Sequence, residues 1–86
     1  MRITFENRTF DMDEVTQLYP AAMVKTGHGE ETTQISLEWL DTQDPNKVEV
    51  VNYGIFFHLK DKSIHPFFYP DRETLEAAIE KLAAQL

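Results

Sequence analysis

The chain has 86 residues, of which 42% are hydrophobic and 27% charged, and this composition excludes intrinsic disorder over the whole chain. Its length fits one small domain, residues 1–86, whose modest core makes a deep, enclosed active site unexpected. Eight basic and fifteen acidic residues give a net charge of −7, which argues against nucleic acid and anionic membranes as partners and favours a basic protein.

The N-terminal segment begins with a predicted strand. Residues 2–5 alternate polar and apolar side chains, as a half-buried strand does, and Thr9 and Phe10 are a candidate short partner strand.

A short helix is predicted next, over residues 12–19. Asp11 and Glu14 form a D-x-x-E capping pattern, and apolar side chains follow at helical spacing until Pro20. The alternative is a strand through the same residues, because the segment also contains β-branched side chains that favour extended backbone.

Two strands are predicted before the middle of the chain. Residues 21–26 form the first candidate. Residues 32–40 carry the clearest alternation, with four side chains on one face: Thr33, Ile35, Leu37 and Trp39. Polar segments rich in structure-breaking residues predict loops at 26–31 and 41–46.

The segment 47–60 is too long for one regular strand, and its apolar pattern changes phase. Val48 and Val50 share one face, whereas the apolar residues from Val51 onward fall on the other. A bulge or bend is therefore predicted near Asn52 and Gly54.

Residues 63–69 predict a further strand, paired with the preceding one as a hairpin. A connecting loop of two or four residues sets His58 opposite His65, and only an odd loop length would break this pairing. One predicted face carries Ile55, Phe57, Leu59, Ile64, Pro66 and Phe68. The other carries Phe56, His58, His65, Phe67 and Tyr69.

A C-terminal helix completes the prediction, with Asp71 as its N-cap and an apolar stripe of Leu75, Ile79, Leu82 and Leu86. The predicted fold class is α+β: a four- to five-stranded, mainly antiparallel meander, a short N-terminal helix, and a long C-terminal amphipathic helix packed on one face. The strand order and the face that the helix covers stay open at this stage.

The leading functional hypothesis is a protein–protein interaction module. Both faces of the predicted hairpin are apolar, and one helix covers only one of them. The uncovered side chains would form an interface, assigned to Phe56, His58, His65, Phe67 and Tyr69. A symmetric homodimer is the commonest way to supply a second layer. The alternative is a hairpin whose two faces are both covered within one chain.

A ligand- or metal-binding protein, conceivably an enzyme, is the second hypothesis. Cross-strand His58 and His65 could share a transition metal, with His28 as a third ligand. Metal sites need three or four converging ligands, however, and two histidines packed beside aromatic rings explain the pattern more simply. No metal or other cofactor is therefore assigned.

A third hypothesis is an acidic inhibitor of a nucleic-acid-binding protein, based on five acidic residues and no basic one between residues 30 and 44. Such a run usually marks a solvated face. No catalytic motif is found, so an enzyme is not favoured. The absence of cysteine and of an apolar N-terminal segment predicts a cytoplasmic protein.

Overall fold

The computed structural model describes residues 1–25, 31–44 and 48–86. Its elements in chain order are β1 (Arg2–Phe5), β2 (Arg8–Asp11), β3 (Val15–Lys25), β4 (Thr32–Ile35), α1 (Leu37–Asp41), β5 (Glu49–Leu59), β6 (Ile64–Tyr69) and α2 (Arg72–Ala83). β1 and β2 form an antiparallel hairpin, and the remaining strands form an antiparallel sheet in the order β4-β3-β5-β6. The fold is α+β with antiparallel sheets.

The strand order corrects the predicted single meander. The N-terminal hairpin is a separate two-stranded sheet. β4 lies at the edge, so β3 pairs with β4 on one side and with β5 on the other, and β5 does not follow β4 in the sheet. The long β3–β5 ladder accounts for this arrangement, because both strands have 11 residues whereas β4 has only four.

One face of the four-stranded sheet is covered by both the hairpin and α2. Among the described residues, nine buried side chains form the core between them: Ile3, Phe5, Phe10, Ile55, Phe57, Tyr69, Leu75, Ala78 and Leu82. Phe57 is fully buried at its centre and stacks on Phe10 of the hairpin, with ring centroids 4.2 Å apart. Leu37 of α1 packs against the same cluster. We call this side of the sheet the covered face.

The helix predicted over residues 12–19 is wrong. Met12–Glu14 form a single 3-10 turn, in which Asp11 accepts a hydrogen bond from the amide of Asp13, and β3 begins directly afterwards. The segment forms a strand because its extended backbone pairs with β5 from Val15 to Lys25. Burial against the sheet outweighs the weak helical propensity of these residues.

The strand predicted over residues 32–40 is also wrong beyond Ile35. Ser36 caps α1, and its hydroxyl accepts a hydrogen bond of 3.1 Å from the amide of Trp39. Such capping satisfies an amide at the helix start, and it ends the strand although apolar residues continue to alternate.

The bulge predicted near Asn52 and Gly54 is present, at Val51. Met23 pairs with Asn52 and Val24 with Val50, so Val51 is the extra residue on β5.

Two contacts anchor α2. Asp71 accepts a 2.7 Å hydrogen bond from the amide of Thr74, which satisfies an N-terminal donor. Arg72 donates two hydrogen bonds, of 3.0 and 3.2 Å, to the carboxylate of Asp41 and so ties α2 to α1. These bonds lower the pKa of Asp41. Within the described ranges, neither helix is long and apolar enough to cross a bilayer.

Candidate binding face of the sheet

The turn between β5 and β6 decides which side chains share a face. The amide of Leu59 donates to the carbonyl of Ser63, which leaves a three-residue turn, and Lys62 adopts a positive φ of 70° in it. This odd length pairs Phe57 with His65. A left-handed third residue is typical of three-residue hairpin turns.

The predicted pairing of His58 with His65 is therefore wrong. His58 lies opposite Ile64, one position away from the predicted register. Successive side chains of a strand point to opposite faces, so this shift turns all of β6 over relative to the prediction.

The five predicted interface residues divide between the two faces. Phe56 and His58 point away from the core. His65, Phe67 and Tyr69 point toward it: Phe67 makes edge contacts with Phe5, Phe10 and Phe57, and Tyr69 is buried in the core. In their place β6 contributes Ile64, Pro66 and Phe68 to the uncovered side.

We call this uncovered side the open face. It is the surface of the four-stranded sheet opposite to α2 and the hairpin, and strand alternation assigns its side chains. They are Gln17, Tyr19, Ala21, Met23, Lys25, Thr32, Gln34, Glu49, Asn52, Phe56, His58, Ile64, Pro66 and Phe68. Its charged members, Lys25 and Glu49, are cross-strand partners at one end.

Three rings from three neighbouring strands cross the open face, and we call them the aromatic row: Tyr19, Phe56 and Phe68. Tyr19 stacks on Phe56 with ring centroids 5.6 Å apart, and Phe68 meets Phe56 edge-on at 6.1 Å. Phe56 is only 6% exposed, whereas Phe68 is 54% exposed and the nearby Ile64 53%. The row therefore has a buried centre and an exposed apolar end.

A polar relay adjoins the aromatic row. Gln34 donates a 3.0 Å hydrogen bond to the phenol oxygen of Tyr19, and that oxygen lies 2.8 Å from Nε2 of His58. With the ring hydrogen of a neutral His58 on Nδ1, the phenol accepts from Gln34 and donates to Nε2. β4, β3 and β5 are thus linked across the open face.

His65 belongs to a different network, at the rim of the covered face. Arg8 places Nη2 2.7 Å from Nδ1 of His65, and Ser63 places its hydroxyl 3.1 Å from Nε2 and hydrogen-bonds to Asp61. The amide and hydroxyl of Ser63 lower the pKa of Asp61. The sequence did not indicate this cluster, because Arg8 is distant along the chain.

This cluster is not arranged for nucleophilic catalysis. A guanidinium only donates, so Nδ1 of His65 accepts and Nε2 carries the proton toward Ser63. In a serine nucleophile site, Nε2 must instead take the proton from the hydroxyl. Residues Asp61, Ser63 and His65 therefore hold the turn in place.

The structure separates the predicted metal ligands. His58 lies on the open face and His65 on the covered face, so they do not converge on one ion. His28 and the glycine-rich loop around it lie outside the described residues. Among residues 1–25, 31–44 and 48–86, no group of three histidine or carboxylate side chains could hold a metal.

Comparison with protein-family models, with curated proteins and with solved structures finds no match to this chain.

Proposed function

We propose that the protein is a self-associating interaction module in which the open faces of two copies pack against each other. The observation that carries this proposal is the aromatic row with its exposed end: Phe68 and Ile64 are more than half exposed beside the buried Phe56. Neither side chain belongs to the hydrophobic core formed by residues 1–25, 31–44 and 48–86. Exposed apolar clusters of this kind are typical of protein interfaces.

The distribution of charge favours a second copy as the occupant. The chain carries a net charge of −7, yet among the strand residues that the structure describes the charged side chains on the open face are the cross-strand pair Lys25 and Glu49. Two such faces can approach without bringing like charges into contact, whereas a strongly basic partner would find no acidic cluster there.

Proline limits the other way in which a sheet associates, strand to strand along its edges. β6 is the last strand of the sheet and contains Pro66, and β3 contains Pro20 in the half that extends beyond β4. Proline lacks the amide that a new strand would need, and natural sheets use it to protect edges. Packing face to face remains as the favoured mode.

The size of the open face fits a small dimer interface. The four strands span roughly 500 Å² in projection, from about 3.3 Å per residue and about 4.8 Å between strands. Because side chains protrude from the sheet, the accessible surface area of the face is larger than its projection. The area of each copy therefore approaches the roughly 800 Å² that one partner buries in a stable complex. Facing sheets pack about 10 Å apart, and the side chains of each fill the spaces between those of the other. This spacing accommodates the protruding Phe68 and Ile64.

The decisive experiment compares two exposed aromatic residues. Phe68→Ser removes the exposed end of the aromatic row. Trp39→Ser removes a ring of similar exposure, 46%, from α1, and serves as the matched control. Phe56 is unsuitable, because truncating a buried phenylalanine costs about 3–5 kcal/mol of stability and confounds the result.

Sedimentation equilibrium from low to high micromolar concentration is the measurement. We expect a dimer for the unaltered chain and for Trp39→Ser, and at least tenfold weaker association for Phe68→Ser with unchanged circular dichroism. A monomeric unaltered chain at high micromolar concentration, or a Phe68→Ser variant that associates normally, would contradict the proposal.

A further inference from the structure

We infer that protonation of His58 dissociates the dimer, so that self-association through the open face responds to pH. This inference rests on the proposed function and adds its regulation. It starts from the position of the imidazole: His58 is half-buried beside the aromatic row, with its ring centroid 5.3 Å from that of Tyr19. Packing of a second open face would remove its remaining water.

No described group that faces His58 carries a negative charge. Tyr19 and Gln17 approach from β3, and Ile64 lies opposite on β6. Lys60, two positions along the chain, carries a charge of the same sign as an imidazolium. Within the described ranges no carboxylate lies within ion-pair distance of His58. A buried imidazolium without a counter-ion is costly, so protonation opposes association.

The relay adds a second cost. When His58 is neutral with its ring hydrogen on Nδ1, the phenol of Tyr19 donates to Nε2 and accepts from Gln34. A protonated Nε2 becomes a donor, so the phenol oxygen then accepts from both neighbours and its own proton loses its acceptor. While the open face is exposed to solvent, water accepts a hydrogen bond from the phenol. When a second copy covers the face, the phenol hydrogen is left without an acceptor.

Histidine is the residue type that ordinarily changes charge near neutral pH, so the association constant is measured across that range. Each dimer contains two copies of His58. If each free copy binds one proton at His58 and the dimer binds none, the association constant falls by up to about a hundredfold for each unit by which the pH is lowered. We expect at least a tenfold fall between about pH 7.5 and 5.5.

His65 supplies the matched control. It has the same imidazole side chain but lies on the covered face, beside Arg8 and Ser63. Sedimentation equilibrium is measured at several pH values and constant ionic strength for the unaltered chain, His58→Gln and His65→Gln. Glutamine keeps a polar group without a titrating charge.

We expect a pH-dependent association constant for the unaltered chain and His65→Gln, and a pH-independent one for His58→Gln. Association of the unaltered chain that does not change with pH, or a response lost in His65→Gln and kept in His58→Gln, would overturn this inference and leave the proposed function standing. A chain that is monomeric at every pH contradicts the proposed function itself, and this inference falls with it.

Discussion

The ring of Phe56 occupies the space that a side chain at Gly54 would need. A Cβ at Gly54 would lie 3.0 Å from Cε2 and Cζ of that ring and 3.3 Å from the carbonyl oxygen of Phe67. Glycine at this position therefore lets Phe56 lie flat on the sheet between Tyr19 and Phe68, instead of standing away from it.

Gly54→Ala is accordingly expected to destabilise the fold by about 1–3 kcal/mol, because the added methyl group overpacks against a ring held from both sides. Urea denaturation measures the change. The matched experiment repeats the substitution in a Phe56→Leu background, where the smaller side chain can yield. A cost that is the same in both backgrounds would show that Phe56 is not the group displaced.

Tyr69→Phe is expected to stabilise the protein by roughly 1 kcal/mol at neutral pH, because a buried hydroxyl without a partner pays for desolvation. The hydroxyl of Tyr69 has no hydrogen-bond partner among the described residues, and the side chain is 7% exposed. Thermal or urea unfolding measures the difference. A destabilised variant would reveal an unseen partner of the hydroxyl.

The same tyrosine predicts an alkaline transition. Burial, with a smaller effect of Glu6, raises the pKa of Tyr69 to about 12 from its ordinary value of 10.0. The folded state therefore disfavours the ionised phenol: through this group the free energy of unfolding does not change with pH below 10, and it falls as the pH rises from 10 through 12. Tyr69→Phe should flatten the loss of stability over this interval, measured by urea unfolding at each pH.

At acidic pH, the N-cap of α2 is expected to lose stability. The amide and hydroxyl of Thr74 lower the pKa of Asp71 below its ordinary 3.8. Its stabilising effect is thus present above pH 3.8 and lost as the pH falls through the lower folded value. Asp71→Asn keeps a good cap and should reduce this acid dependence.

Asp71→Ala should lower the Tm by about 4–8 °C at pH 7. Melting curves between pH 2 and 7 test both, and an unchanged Tm for Asp71→Ala would show that the cap is unimportant.

Signals that act over a few residues made parts of this fold predictable. Asp71 caps α2 through Thr74, three residues away, and the bulge near Asn52 follows from a phase change along one strand. The orientation of β6 was not predictable in this way. It depends on whether the turn has an odd or an even number of residues. Glycine usually marks the left-handed position of a three-residue turn, but here Lys62 occupies it.

The candidate site was predictable only in part for the same reason. The sequence identified Phe56 and His58, because both lie on β5, upstream of the turn. It missed Phe68 and Ile64, which only the observed register brings to their side. Tyr19 was missed because the segment 12–19 was assigned to a helix, and its contact with His58 spans 39 positions of the chain.

The two prolines of the sheet bear on how far assembly can proceed. An apolar β-sheet with unprotected edge strands is a template for fibrils, because each added strand presents a new edge to the next one. Here Pro66 lies on the outer strand β6 and Pro20 on the part of β3 that extends beyond β4, and the proposed second copy would cover the open face. In the proposed dimer neither open face is left for a third copy, so assembly is expected to stop at two copies.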